Sequence, residues 1–167
     1  MLPQLPGFVI IRKLGRGGAG VVYEAQQTSI GRKVALKLLT QDHRAPDAVR
    51  KRWLTEVRAL GKIRHPHVVR LLDAGEYERQ MYLALELISG GTLKSRMTNP
   101  VPIREAVRVV ESIARAVDVL HRSGILHLDI KPANILLDAT DSEDFSQLIP
   151  LLSDFGISYC PSDHASD

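Results

Sequence analysis

The stretch His127-Leu128-Asp129-Ile130-Lys131-Pro132-Ala133-Asn134 sets a carboxylate, an ammonium and a carboxamide within six positions. It stands between a helix-like apolar run and the apolar triplet Ile135-Leu136-Leu137. One tight loop therefore holds a proton acceptor, a compact cation and an oxygen ligand for a hard metal. That set suits chemistry that works by positioning and charge stabilisation, such as phosphoryl transfer to a hydroxyl. Asp, Asn and Pro are also ordinary turn residues, so taken alone the octet favours such chemistry over a plain polar turn only modestly. The flanking sequence decides.

Immediately upstream, Arg104 to His121 is strongly helical in pattern. Ala106, Val109, Val110, Ile113, Ala114, Val117 and Leu120 form one broad apolar face, which reads as core, and Gly124 closes the helix. Downstream lies an acidic tract, Asp138, Asp141, Glu143 and Asp144, expected to be a solvated loop. The apolar run Ile149-Pro150-Leu151-Leu152 then delivers Ser153-Asp154-Phe155-Gly156. A carboxylate leaving a strand just before a glycine is well placed to hold a hard cation.

Further upstream the pattern changes to strands. Phe8 to Leu14 and Val21 to Tyr23 are apolar runs joined by Gly15-Arg16-Gly17-Gly18-Ala19-Gly20, which reads as strand, glycine turn, strand. Such glycines let backbone N–H groups approach phosphate oxygens, although a plain hairpin explains them equally well. No helix follows them and no Gly-Lys-Ser/Thr ends the loop, so neither a dinucleotide fold nor a P-loop fits. Next, Arg32 to Leu39 places Ala35, Lys37 and Leu39 on one face of a strand. Lys37 is either an edge-strand gatekeeper or a cleft cation in need of an anion. Glu56 is the candidate anion, on a helix expected from about Pro46 to Gly61 whose stripe is Val49, Trp53, Val57 and Leu60. A solvated Glu56 paired with Arg52 or with nothing is the plain alternative.

His65-Pro66-His67 reads as a loop, since no second pair of ligands completes a metal site. Two strands are expected at Val68 to Leu72 and Met81 to Leu85, with a turn around Gly75 to Gln80. Glu86 to Gly91 then moves from apolar to flexible, which places the best domain boundary there. The organisation expected is a β-rich lobe over residues 1–88, a connector at 89–91 and a second lobe over 92–167.

Composition bounds the partners. The chain has 167 residues, 44% of them hydrophobic, and a formal charge of +3 with basic residues dispersed, so neither nucleic acid nor anionic lipid is implied. A lone Cys160 excludes an internal disulfide framework and is compatible with a reducing compartment. No run of about 18 uncharged apolar residues exists, and the N-terminus lacks a signal-peptide pattern, so a cytoplasmic location without membrane contact is expected.

Taken in order, these elements resemble the eukaryotic-type serine/threonine protein kinases, in the style of bacterial members. The resemblance rests on Gly15-x-Gly17-x-x-Gly20-x-Val22, Val34-Ala35-Leu36-Lys37, Glu56, His127-Leu128-Asp129 with Asn134, and Asp154-Phe155-Gly156. It implies an α+β, two-lobed kinase-like fold that binds ATP and Mg2+ and phosphorylates a Ser or Thr hydroxyl of a protein. By position it implies that Lys37 meets the α/β-phosphates and is held by Glu56. Asp129 accepts or orients the substrate proton, Lys131 neutralises the γ-phosphate, and Asn134 and Asp154 hold magnesium. Leu14, Val22, Ala35 and Leu136 would enclose the adenine, and Glu86 and Ile88 would offer it backbone hydrogen bonds, with Leu85 guarding the back of the pocket. Gly15, Gly17, Gly18 and Gly20 would cover the phosphates. Lys131-Pro132 looks like the serine/threonine branch.

Three departures qualify the resemblance. Leu128 stands where many members have an arginine that reads a phosphorylated activation loop, so that mode of switching is expected to be absent. Twenty residues separate Asn134 from Asp154, an enlarged interval. Only eleven residues follow Gly156, with no Ala-Pro-Glu, so the chain is expected to be a truncated catalytic domain. A catalytically inactive ATP-binding or interaction module is the alternative; a small-molecule phosphotransferase of the same fold is a weaker one.

Overall fold

The computed structural model describes residues 2–18, 20–40, 47–97, 100–138 and 147–155. Pro46, Asp141, Glu143, Asp144, Gly156 and Cys160 lie outside the described residues. The chain divides into two compact units, one built from Met1–Gly61 and Leu71–Leu87, the other from Lys62–Arg70 and Ile88–Gly156.

The first unit is an antiparallel five-stranded sheet in the order β1-β2-β3-β5-β4. Its strands are β1 (Phe8–Gly17), β2 (Gly20–Gln27), β3 (Arg32–Leu39), β4 (Leu71–Tyr77) and β5 (Gln80–Glu86). β3 is therefore central, because β2 and β5 hydrogen-bond to its two sides. One sheet face buries Phe8, Ala25, Val34, Leu36, Leu38 and Ala84 under Leu5. The helix α1 (Asp47–Leu60) belongs to the same unit and buries Trp53, Val57 and Leu60, spaced for one helical face.

Three details differ from expectation. The first two strands continue through the glycines, with Gly15 opposite Val22 and Gly17 opposite Gly20, because a glycine backbone can pair without a side chain to place. β4 starts at Leu71 rather than Val68 and runs on through Gly75 to Tyr77. Its turn is only Glu78-Arg79, both at positive φ, 47° and 64°. That is the backbone of a tight two-residue hairpin, adopted here without the Asn or Gly that normally announces it. Val68 and Val69 instead join the second unit, where Val69 N donates to Leu152 O at 3.0 Å.

The second unit holds α2 (Leu93–Arg96), α3 (Ile103–Arg122) and a hairpin of β6 (Ile135–Asp138) with β7 (Ile149–Leu152). Gly124, at φ 74°, ends α3 while Ile125 N bonds back to Leu120 O at 3.0 Å, so the left-handed residue caps the helix as read from sequence. The apolar face of α3 needs correction. Val109, Ser112, Ile113, Ala116 and Leu120 are buried, whereas Ala106 and Ala114 are exposed and Val110 is 67% exposed. Small Ser112 and Ala116 take part in the covered stripe, and one flank of the expected face is left outside. No helix among the described residues is long and apolar enough to cross a membrane.

Candidate active site

In the second unit, α3 and its glycine cap deliver the chain through buried Ile125 into His127, which is 2% exposed. Both ring nitrogens of His127 are engaged. The backbone N–H of Asp129 donates to Nδ1 at 3.2 Å, which makes Nδ1 an acceptor and leaves Nε2 to donate to Ser153 O at 2.8 Å. The ring also meets Phe155 edge to face, with centroids 5.6 Å apart. His127 and Ser153 carried no assigned role in the sequence, because each acts through a partner 26 positions away.

Ser153 continues the chain of contacts. Its backbone N–H and its Oγ both donate to Asn134 O, at 2.8 and 2.9 Å. Asn134, buried on the 3-10 turn Pro132–Asn134, sends its Nδ2 to Asp129 O at 2.8 Å and to Asp129 Oδ2 at 2.9 Å. A closed circuit results, running Asp129, His127, Ser153, Asn134 and back to Asp129. Every member is held by hydrogen bonds from two directions, so the loop is rigid without a sheet ladder of its own.

Two consequences follow for the ionisable groups. Lys131 Nζ lies 2.7 Å from Asp129 Oδ2. The hydrogen bond from Lys131, then that from Asn134, hold the Asp129 carboxyl below the ordinary carboxylate range against a smaller opposing effect of desolvation. The Asn134 amide nitrogen thus donates to both the backbone carbonyl and the side chain of Asp129. Asp154 stands two residues past the end of β7 with φ 57°, and Leu128, next to Asp129 in the chain, has φ 62°. Left-handed backbone at two residues that are not glycine is uncommon and concentrates at functional sites.

In the first unit the sheet register gathers another group. Val22 pairs with Lys37, Ala35 with Leu85, and Gly15 with Val22, so these five share one sheet face. Lys37 is 7% exposed on the central strand, which rules out the edge-gatekeeper explanation. Leu14 stands outside the strand register and is exposed. Glu56 is exposed in the second half of α1. Glu86 ends β5, opposite Val34; Ile88 and Leu136 are half-buried in the second unit. The glycines separate by role. A Cβ at Gly15, Gly17 or Gly18 would meet nothing, whereas one at Gly20 would run into the carbonyl of Leu38. Gly20 is thus required by strand packing, whatever else it does.

His65 and His67 form a loop contact, as expected: His67 N donates to His65 Nδ1 at 3.2 Å and His67 Nδ1 meets Pro150 O at 2.9 Å. No cluster of three metal-ligating His, Cys, Asp or Glu occurs among the described residues.

Residues 8–165 match the family model described as protein kinase domain. The serine/threonine-protein kinase PknF of Mycobacterium tuberculosis (strain ATCC 25618 / H37Rv) is 37% identical over 155 residues, which cover 90% of this chain and 32% of PknF. PknH of the same strain is 39% identical over 154 residues, covering 91% of this chain and 24% of PknH. The crystal structure of the Mycobacterium tuberculosis PknI kinase domain superposes with a TM-score of 0.77 at 30% identity, over 93% of this chain and 62% of that one. The chain therefore spans a third or less of these curated relatives.

Proposed function

The chain belongs to the protein kinase family, among its bacterial serine/threonine members, and we propose that it carries out ATP-dependent phosphorylation of protein Ser or Thr hydroxyls. The observation that carries this reading is the closed circuit through Asp129, His127, Ser153 and Asn134, which holds a carboxylate rigidly in place beside a lysine. A carboxyl held below its ordinary range is a weak base but a permanent anion. Its role is to orient the incoming hydroxyl and take its proton late, as bond formation makes that oxygen acidic. Lys131 would neutralise charge on the transferring phosphoryl group.

Asn134 and Asp154 fit a hard divalent cation, since the first presents a carboxamide oxygen and the second a carboxylate, the donor types such ions take. Magnesium, when bound, would draw charge from the phosphate oxygens. Lys37, a buried cation on a central strand, is suited to a phosphate anion, with Glu56 holding it. Gly15, Gly17, Gly18 and Gly20 would offer amides to the phosphates. Leu14, Val22, Ala35 and Leu136 would supply apolar surface to the base, with Leu85 behind it, and backbone groups of Glu86 and Ile88 would read its edge. Apart from Lys62–Arg70, which belongs to the second unit, residues 1–88 would act as one lobe, 89–91 as connector and 92–167 within the second lobe, in a cytoplasmic protein.

The test compares the chain with Asp129→Asn, using labelled ATP and a generic basic protein. Transfer is expected to fall about 10²- to 10⁴-fold while MgATP affinity holds. Equal incorporation by both proteins sinks the catalytic assignment. A second reading, nucleotide binding without transfer, draws on the exposed Ile103, Val107 and Val110 of α3, which leave apolar surface uncovered among the described residues. It predicts thermal stabilisation by MgATP with no transfer from either protein.

A further inference from the structure

β1 departs from regular pairing twice, and both departures bear on the glycine hairpin. Ile10 pairs with Ala25, yet the next pair is Arg12 with Glu24; after Lys13 with Tyr23 the next is Gly15 with Val22. Ile11 and Leu14 fall outside the ladder. In an unbroken ladder Ile11 would face Glu24, and Lys13 would face Val22. The first bulge thus puts a guanidinium opposite the carboxylate, and the two together put a glycine opposite Val22. Bulges of this kind re-aim side chains and recur beside functional sites.

Glu24 is what the first bulge serves. Its side chain is 7% exposed and accepts Arg12 Nη2 on Oε2 at 2.7 Å and Lys33 Nζ on Oε1 at 3.1 Å. One buried carboxylate therefore clasps three strands, with Arg12 from β1 and Lys33 from β3. The hydrogen bond from Lys33 foremost, with Arg12 adding to it, holds the carboxyl below its ordinary range although burial acts the other way. By register Glu24 opposes Ala35 and shares the sheet face of Val22 and Lys37. Past the second bulge, Gly15 and Gly17 have no side chain to pack; the tip is tied at Gly18, whose carbonyl accepts Thr40 Oγ1 at 3.3 Å, and at the root on β1 the side chain that is gripped is Arg12.

We propose that Glu24 is a positioning residue for the glycine hairpin: by gripping Arg12 between the two bulges it sets how the amides of Gly15 to Gly17 are presented to nucleotide phosphates. The claim about phosphates rests on the kinase reading above. The claim about the hairpin does not, because it concerns the free protein. The bland alternative is that the two ion pairs merely compensate a buried charge. In that case Arg12 and Lys33 matter alike, and neither acts selectively on the hairpin.

The test is amide hydrogen exchange on the nucleotide-free chain, with MgATP affinity measured alongside. Arg12 and Lys33 are both well exposed, so their replacement leaves packing intact. Arg12→Ala is expected to speed exchange of the Gly15 to Gly17 amides about tenfold and weaken MgATP about as much, with β4 and β5 amides unchanged. Arg12→Lys should restore most of both. Lys33→Ala, which frees the side of Glu24 away from β1, should do markedly less at the hairpin. Unchanged hairpin exchange in Arg12→Ala, or equal acceleration in Lys33→Ala, overturns the proposal. Acceleration as expected in a chain whose unmodified form binds no MgATP keeps the clasp and removes the nucleotide reading.

Discussion

The glycine hairpin of the first unit and the Asp129 loop of the second are held in place by opposite means. The hairpin has almost no side chains of its own. It inherits its position from ladder register, from two bulges, from one carboxylate gripping its root and from the Thr40 hydroxyl that donates to Gly18 O. The Asp129 loop has no ladder, and is fixed by side chains that bond back to the main chain around a closed circuit. Where backbone must remain bare to meet a ligand, order is imported from neighbouring strands; where side chains are the working parts, they also supply the order.

The sharpest way to break this comparison is to put a methyl group on each kind of glycine. Gly20→Ala drives a Cβ into the Leu38 carbonyl on a backbone at φ 153°, and is expected to cost about 3 kcal/mol in urea unfolding. Gly17→Ala meets open space and should stay within about 0.5 kcal/mol of the parent. Similar losses for both would mean that the hairpin is packed rather than bare.

A second effect concerns the loop. Lys131→Ala removes the largest influence lowering the Asp129 carboxyl, so its midpoint should rise toward the ordinary value of about 3.9. The sign follows from the pair. The charged form is favoured while the ammonium is near, so its removal makes the carboxylate protonate at higher pH, and the acid limb of any transfer activity should move up with it. A carboxyl-carbon NMR titration reads the midpoint directly. An unmoved midpoint would show that Lys131 and Asp129 do not pair in solution.

The smallest expected effect lies at Leu128, which is 81% exposed with φ 62°. A left-handed leucine costs about 1 to 2 kcal/mol, and glycine returns part of that gain through chain entropy. Leu128→Gly should therefore stabilise the chain by up to about 1 kcal/mol on the same urea measurement. A clear loss would mean that the exposed side chain makes contacts the loop depends on.

Much of the candidate site is legible without coordinates. Lys37 in an apolar strand, Asp129 with Lys131 and Asn134 in one loop, and Asp154 after an apolar run are local patterns, and local patterns survive in one dimension. What escaped was non-local or locally atypical. Glu78-Arg79 makes a turn usually reserved for Asn and Gly, so the sequence pattern places β4 too early. The periodic face of α3 is broader than its buried one, because periodicity marks what is apolar, not what is covered.

Local sequence suffices for most of the element order, for the chemistry available in each element and for the helix stop at Gly124, since each depends on residues within a few positions of one another. Tertiary structure alone decided that Lys37 lies on the central strand, that Lys62–Arg70 packs with the second unit, and that His127 and Ser153 close a circuit around Asp129. Those facts depend on which distant segments pair. Pairing is settled by the free energy of the whole packed chain, and no local window contains it.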